Sequence, residues 1–180
     1  MTAVKSLTFD LELTADHAQA PPLQTGLDWQ DTFCRWATHM QLDGSPIQTY
    51  ELTLKLTDDS QIQDLNRIYR HRDQPTDVLS FAALETESVL PPELLAVEPL
   101  YLGDIVISLD TAKRQAIDNN HSLLTETTWL AAHGFLHLLG WDHPDEPSLE
   151  AMLAKQDELL SLIIQPESTV GDGQPPTVGR

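Results

Sequence analysis

The amino-acid sequence predicts an α+β fold, a single domain in which a small mixed sheet of about four strands is covered by about five helices. Two observations predict this class. Segments with the two-residue periodicity of strands alternate with helical segments up to about residue 109, and only helical patterns follow. The chain also has 180 residues, 41% of them hydrophobic, which suits one compact core. We expect the domain to span residues 1–164 and residues 165–180, rich in Gly and Pro, to form a disordered tail.

The first half of the chain predicts three strands and two helices. Apolar and polar residues alternate over residues 7–13 and again over residues 50–56, which predicts two strands with one buried face each. Apolar residues recur at helical spacing over residues 29–40 and 62–69, which predicts two amphipathic helices. A short third strand is predicted over residues 78–81.

The second half predicts one strand and three helices. Residues 83–99 are acidic and contain three prolines, so we expect a surface loop there. A strand is predicted over residues 101–109. Asp110 and Ser122 are candidate caps for two helices, and a last helix is predicted over residues 147–164. The order of the strands in the sheet does not follow from these patterns.

Composition restricts the possible functions. Ten basic and 28 acidic residues give a net charge of -18, which argues against general binding of nucleic acid because an acidic surface repels phosphate. Arg67, Arg70 and Arg72 nevertheless lie within six positions and form one local basic segment. No apolar run approaches the roughly 20 residues that span a bilayer, and the single cysteine, Cys34, excludes an internal disulfide. We therefore expect a soluble, cytoplasmic protein without membrane contacts.

The strongest chemical signal is a cluster of three histidines, His133, His137 and His143, in the segment HGFLHLLGWDH. Residues four apart lie on one face of a helix, so His133 and His137 can bind one ion, and Gly140 can turn the chain to bring back His143. Three imidazoles suit zinc and leave a fourth position open for water. We predict one Zn²⁺ per chain. The alternative is three unrelated histidines, one exposed at the surface and two with satisfied hydrogen bonds in the core.

A zinc-dependent peptidase is a second interpretation of the same spacing. In the long zinc-protease motifs a glutamate follows the first histidine and acts as general base, but here that position is Gly134. Without that group the peptidase mechanism lacks a contribution of roughly 10²–10⁴-fold. Asp142 either orients a ligand histidine or stabilises the turn, and the sequence does not distinguish these roles.

Three segments together resemble the bacterial YbeY family of endoribonucleases. They are NRIYRHRDQPTDVLSF at residues 66–81, LGDIVIS at 102–108 and the histidine segment at 133–143, and the resemblance covers roughly residues 47–160. It implies that the three histidines bind zinc and that Arg70 acts in RNA cleavage. Taken alone, Arg70 is equally compatible with a solvated or ion-paired surface residue. Ala82 departs from the family, because many relatives have proline there.

The resemblance further implies a function in ribosome maturation. It implies cleavage of single-stranded RNA, 3′-end processing of precursor small-subunit rRNA, ribosome quality control, and contacts with the ribosome or its proteins and with an assembly GTPase. The catalytic residues would be Arg70, His133, His137 and His143. An alternative is an assembly factor that zinc stabilises and that does not cut RNA. Whether water or the RNA 2′-hydroxyl attacks phosphorus stays open.

Overall fold

The computed structural model describes residues 7–16, 26–85 and 91–164. Within these ranges the chain forms a four-stranded sheet and five helices of ten residues or more, which confirms the predicted α+β class. The strands are β1 (Thr8–Ala15), β2 (Thr49–Thr57), β3 (Val78–Ala82) and β4 (Leu100–Ser108). The helices are α1 (Trp29–His39), α2 (Asp59–Arg70), α3 (Leu109–Asp118), α4 (Leu123–Leu138) and α5 (Glu146–Ser161). The predicted tail, residues 165–180, lies outside the described residues.

The sheet has the strand order β1-β2-β4-β3. β1 runs parallel to β2 and β2 parallel to β4, whereas β3 pairs antiparallel with β4. The sheet is therefore mixed, as predicted, and β3 forms one of its edges. The pairing of Ser80 with Ile105 places the middle of β3 beside the centre of β4.

The main core lies between one face of the sheet and helices α1, α4 and α5. Rings of Phe9, Phe33, Trp36 and Phe135 pack together there, with centroids 5.2–6.4 Å apart. The other face is covered at the β3–β4 end by α2, where Ile62 contacts a small cluster with Leu79 and Val106. Because side chains alternate along β3, Leu79 and Phe81 belong to the α2 side, and Ser80 is on the α4 side.

The structure corrects three details of the predicted elements. Helix α3 is capped by Ser108, whose hydroxyl accepts a hydrogen bond from the Thr111 N–H, and not by Asp110. Asp110 instead accepts a bond from the Asp59 N–H, a contact between two helices. Helix α5 begins after Asp145, which forms a capping box with Ser148, and ends at Ser161. The predicted 83–99 loop contains a 3-10 turn, Ala83–Glu85, and a four-residue helix, Pro92–Leu95.

No helix in the three described ranges is long and apolar enough to cross a lipid bilayer. Helix α4, the most apolar of the five, has 16 residues and is covered by the sheet, α3 and α5. Its apolar character therefore reflects burial on several sides.

Candidate metal centre and adjoining cleft

Helix α4 brings the first two histidines together. It begins after Ser122, whose hydroxyl accepts a hydrogen bond from the Thr125 N–H, and it continues without interruption through both residues. The rings of His133 and His137 lie with their centroids 4.6 Å apart, and their Nε2 atoms are separated by 3.1 Å. Both side chains therefore direct a nitrogen to the same point beside the helix.

The third histidine returns to this point after a turn. Gly140 adopts a φ of +85°, a conformation that side chains disfavour, and the Trp141 N–H donates to the Leu136 carbonyl to close the turn. The His143 ring then lies 5.6 Å from His133 and 5.3 Å from His137, centroid to centroid. The structure thus brings together the three histidines that the spacing singled out.

The donor set fits a tetrahedral metal ion. One ligand nitrogen from each histidine lies within 4.8 Å of the other two. Zinc–nitrogen bonds of about 2.0–2.1 Å in tetrahedral geometry separate the ligand atoms by roughly 3.3 Å, close to the 3.1 Å between the two Nε2 atoms. Three imidazoles without a carboxylate leave the ion's charge uncompensated. Such a site can hold a metal ion and attract an anionic group.

Gln156 is a site residue that sequence reasoning missed. It is fully buried on α5, and its Nε2 donates to the Trp129 carbonyl at 2.9 Å. This bond fixes the amide so that Oε1 faces His133 Nδ1, 3.2 Å away. Nδ1 must then carry the proton, which leaves the Nε2 lone pair for a metal. No local pattern identifies Gln156, because it lies 23 positions after its partner.

Burial favours the neutral form of two of the three histidines. Desolvation lowers the pKa of His133, with a smaller contribution from His143, while the hydrogen bond to Gln156 opposes the shift. Desolvation also lowers the pKa of His137, and the neighbouring imidazoles of His133 and His143 lower it further. Neutral imidazole is the form that binds metal, so the fold prepares these histidines for coordination.

The two residues beside the ligands have structural roles. Asp142 Oδ1 accepts a hydrogen bond from the backbone N–H of His143 at 2.8 Å, which supports the turn-stabilising interpretation. Gly134 packs directly against the sheet. A Cβ atom there would lie 2.7 Å from Ile105 Cγ2 and 3.0 Å from Ser80 Oγ, so a glutamate does not fit without movement of β4 or α4.

The histidines border a cleft of about 570 Å³ that also contains the predicted arginine. His133 and His137 line it from α4, and Arg70 and Arg72 line it from the end of α2 and the loop that follows. The Arg70 guanidinium donates to the Ser80 carbonyl at 3.3 Å, across the edge of β3. The other lining residues are mostly polar: Asn66, Gln74, Thr76, Asp77, Val78, Leu79, Ser80, Ala82, Trp141 and Asp142. Arg70, His133 and His137 therefore line the same cleft.

The loop after α2 holds the arginines in place. His71 ends the helix in the left-handed conformation, with a φ of +58°. The buried Asn66 side chain donates to the Gln74 backbone carbonyl at 2.8 Å. The backbone carbonyl of Asn66 accepts a hydrogen bond from the Arg72 N–H at 3.3 Å. Asn66 thereby ties both ends of the loop to α2. His71 itself is exposed and does not line the cleft.

The two arginines of the cleft, Arg70 and Arg72, make no ion pair with the described residues. Of the eight Lys and Arg residues in the described ranges, five pair with a carboxylate. Only Arg70, Arg72 and Lys113 make no ion pair there, and two of these three line the cleft. The cleft also contains the carboxylates of Asp77 and Asp142, so its positive charge is confined to the Arg70 and Arg72 side chains. These guanidinium groups suit a phosphate group.

Comparison with known proteins gives a consistent result. The family model described as endoribonuclease YbeY matches residues 19–163. A Nostoc protein named endoribonuclease YbeY is 57% identical over 135 residues, which cover 75% of this chain and 73% of that protein. A Synechocystis protein of the same name is 48% identical over 170 residues, 91% and 95% of the two chains. The solution structure of a Thermotoga maritima protein shares the fold, with a TM-score of 0.54 and 21% identity over 84% and 87% of the two chains.

Proposed function

The chain belongs to the YbeY family of endoribonucleases, and on that premise we propose that it cleaves single-stranded RNA with one zinc ion held by His133, His137 and His143. Arg70 would act on the same phosphodiester. The observation that carries this proposal is the shared cleft, which is lined by Arg70 together with His133 and His137.

The chemistry follows from the two sides of the cleft. When bound, zinc supplies Lewis acidity and lowers the pKa of a coordinated water. The Arg70 guanidinium stays charged at all relevant pH values and offers two parallel donors to non-bridging phosphate oxygens. It thereby stabilises the additional negative charge of the transition state. Gln156 and the backbone of Trp141 hold His133 and His137 in the orientation that this requires.

The substrate in the cell would be precursor small-subunit rRNA. We propose action in 3′-end maturation and in ribosome quality control in the cytoplasm, with the ribosome, its proteins and an assembly GTPase as partners. The net charge of -18 supports a dependence on such partners, because the acidic surface outside the cleft repels free RNA. Tight, salt-insensitive binding of the isolated protein to naked RNA would contradict this part of the proposal.

The activity is tested with end-labelled single-stranded RNA and zinc-loaded protein. Controls are a chelated sample and an Arg70→Ala variant whose zinc content has been measured. Cleavage by the wild type alone supports the proposal. Equal cleavage by the variant or by the chelated sample refutes it. The product ends decide the attacking group, since a 2′,3′-cyclic phosphate identifies the RNA 2′-hydroxyl.

The same variant separates the enzyme from a non-catalytic assembly factor. If Arg70→Ala keeps its zinc, fails to cleave and still restores ribosome maturation in cells, the protein acts by positioning RNA or protein. A peptidase has no support from the site, because Gly134 occupies the position of the general base and packs against Ile105.

A further inference from the structure

An aromatic pair, an exposed Tyr69 and a half-buried Phe81, adjoins the residues of the cleft and has no part in the proposed chemistry. Tyr69, the penultimate residue of α2, is 60% exposed. Its ring packs edge to face on Phe81 of β3, with centroids 5.0 Å apart and an interplanar angle of 68°. One side of α2 carries Ile62, Leu65 and Tyr69, which are buried, half-buried and exposed respectively. The apolar stripe of this helix therefore continues out to the surface.

The pair is adjacent to Arg70 on both elements that it joins. Arg70 follows Tyr69 in α2, and its partner Ser80 precedes Phe81 in β3. The Arg70–Ser80 hydrogen bond and the Tyr69–Phe81 contact are thus neighbouring links between the same helix and strand. Since β3 is an edge strand of the sheet, a polymer that leaves the histidines and passes Arg70 over this edge next meets the Tyr69 ring.

Stacking is the interaction that such a ring offers to single-stranded RNA. Unpaired bases stack on exposed aromatic side chains, and bases within a duplex are not accessible in this way. An acidic protein gains little RNA affinity from long-range attraction, so a local apolar contact has more importance here. Because Tyr69 and Arg70 are consecutive residues at the end of α2, a base that adjoins a phosphate on Arg70 is the candidate partner of the Tyr69 ring.

We propose that Tyr69, supported by Phe81, stacks on an unpaired base next to the phosphate that Arg70 binds, and thereby selects single-stranded RNA. This inference rests on the proposed ribonuclease function. Tyr69 is a specificity-determining residue that binds substrate outside the scissile bond. Its effect falls on KM and on the preference for single strands, whereas Arg70 affects kcat.

The test uses zinc-loaded full-length protein and a short single-stranded RNA with 2-aminopurine, a base whose fluorescence is quenched by stacking, beside the cleavage site. We expect the wild type to quench this base on rapid mixing, before cleavage. Tyr69→Leu should abolish the quenching and raise KM about tenfold, with kcat within twofold, because the loss of about 1.4 kcal/mol corresponds to tenfold. Tyr69→Trp should retain both properties.

Ile68→Ala is the matched control, since Ile68 is the preceding residue of α2 and is 57% exposed. It should leave KM and quenching unchanged. If the wild type cleaves RNA but does not quench the base, or if Tyr69→Leu behaves as the wild type, the stacking inference is overturned and the ribonuclease proposal stands. If the wild type neither binds nor cleaves RNA, both fail. Equal impairment of Tyr69→Leu and Tyr69→Trp would assign the ring to support of the arginine loop and would also overturn the inference.

Discussion

The side-chain carbonyl of Gln156 accepts a hydrogen bond from Nδ1 of His133 at 3.2 Å, and this contact fixes which ring nitrogen is available to a metal. Gln156→Leu has a similar volume but no acceptor. We expect it to weaken zinc binding by about 10–100-fold, the usual effect of removing such a hydrogen bond to a ligand. Competition with a chromophoric chelator measures the change. Asp157→Asn, an exposed neighbour on α5, is the control and should bind zinc like the wild type. Unchanged affinity in Gln156→Leu would show that helix packing alone orients His133.

The lowered pKa values of His133 and His137 predict how the metal-free protein responds to acid. The folded-state pKa of each is below the unfolded value of about 6.5, so the unfolded chain binds protons first as the pH falls. The free energy of unfolding should therefore decrease below about pH 6.5 and level off once the folded histidines are protonated. Urea denaturation of chelated protein between pH 5 and 8 checks this. A His133→Phe, His137→Phe double variant should lose this part of the dependence.

Replacement of Gly134 by alanine should lower the stability of the fold without changing the three histidines. The Cβ of Gly134→Ala would approach the buried Ile105 Cγ2 to 2.7 Å, so a strand or helix must shift. Overpacking of this kind costs about 1–3 kcal/mol, and the better helix propensity of alanine returns up to about 1 kcal/mol. We expect a net loss of up to about 2 kcal/mol in urea denaturation, with the three histidines still able to bind metal. A variant more stable than the wild type would mean that α4 packs less closely on β4.

The histidine centre could be predicted because its parts are local in sequence. His133, His137 and His143 lie within eleven residues, and helical spacing with a glycine turn determines their convergence. The contact of Gln156 with His133 could not be predicted, because it depends on how α5 packs against α4. The same reason explains why the predicted cap of α3, Asp110, was wrong. Asp110 is a good cap by residue type, but its carboxylate accepts from Asp59 N–H in another helix. Strand order likewise depends on long-range packing that periodicity does not describe.

Asp59 joins the start of α2 to α3. Loss of its carboxylate should therefore lower the free energy of unfolding substantially. Burial alone would raise its pKa, but hydrogen bonds from Ser108, Thr111 and Arg114, at 2.6, 2.7 and 2.8 Å, hold the pKa below its usual value. Asp59→Ala should cost about 1–3 kcal/mol of unfolding free energy at neutral pH. Because the folded pKa is depressed, the contribution is present above about pH 4 and is lost as the pH falls through the folded value.

Asp64→Ala is the matched control for that measurement. Asp64 also lies on α2 and bonds Arg67 at 2.7 Å, but its side chain is 63% exposed against 27% for Asp59. An exposed pair of this kind contributes little because solvent screens it, so Asp64→Ala should lose much less unfolding free energy than Asp59→Ala. Equal losses in the two variants would contradict a special role of the Asp59 contacts.

Arg70 and Arg67 provide the sharpest comparison within the basic segment. Both are near the end of α2, but Arg67 pairs with Asp64 and Asp73, and it does not line the cleft. Arg70 lines the cleft and bonds only a backbone carbonyl among the described residues, so its charge is available to phosphate. Removing one charge-stabilising donor costs about 10²–10³-fold in kcat. We therefore expect Arg70→Ala to lower kcat by that amount. Arg70→Lys should recover only part of the loss, because lysine lacks the two parallel donors. Arg67→Ala should keep a kcat within twofold of the wild type. Single-turnover RNA cleavage by variants of measured zinc content tests this difference. Equal losses in Arg67→Ala and Arg70→Ala would mean that the basic segment only attracts RNA by its charge.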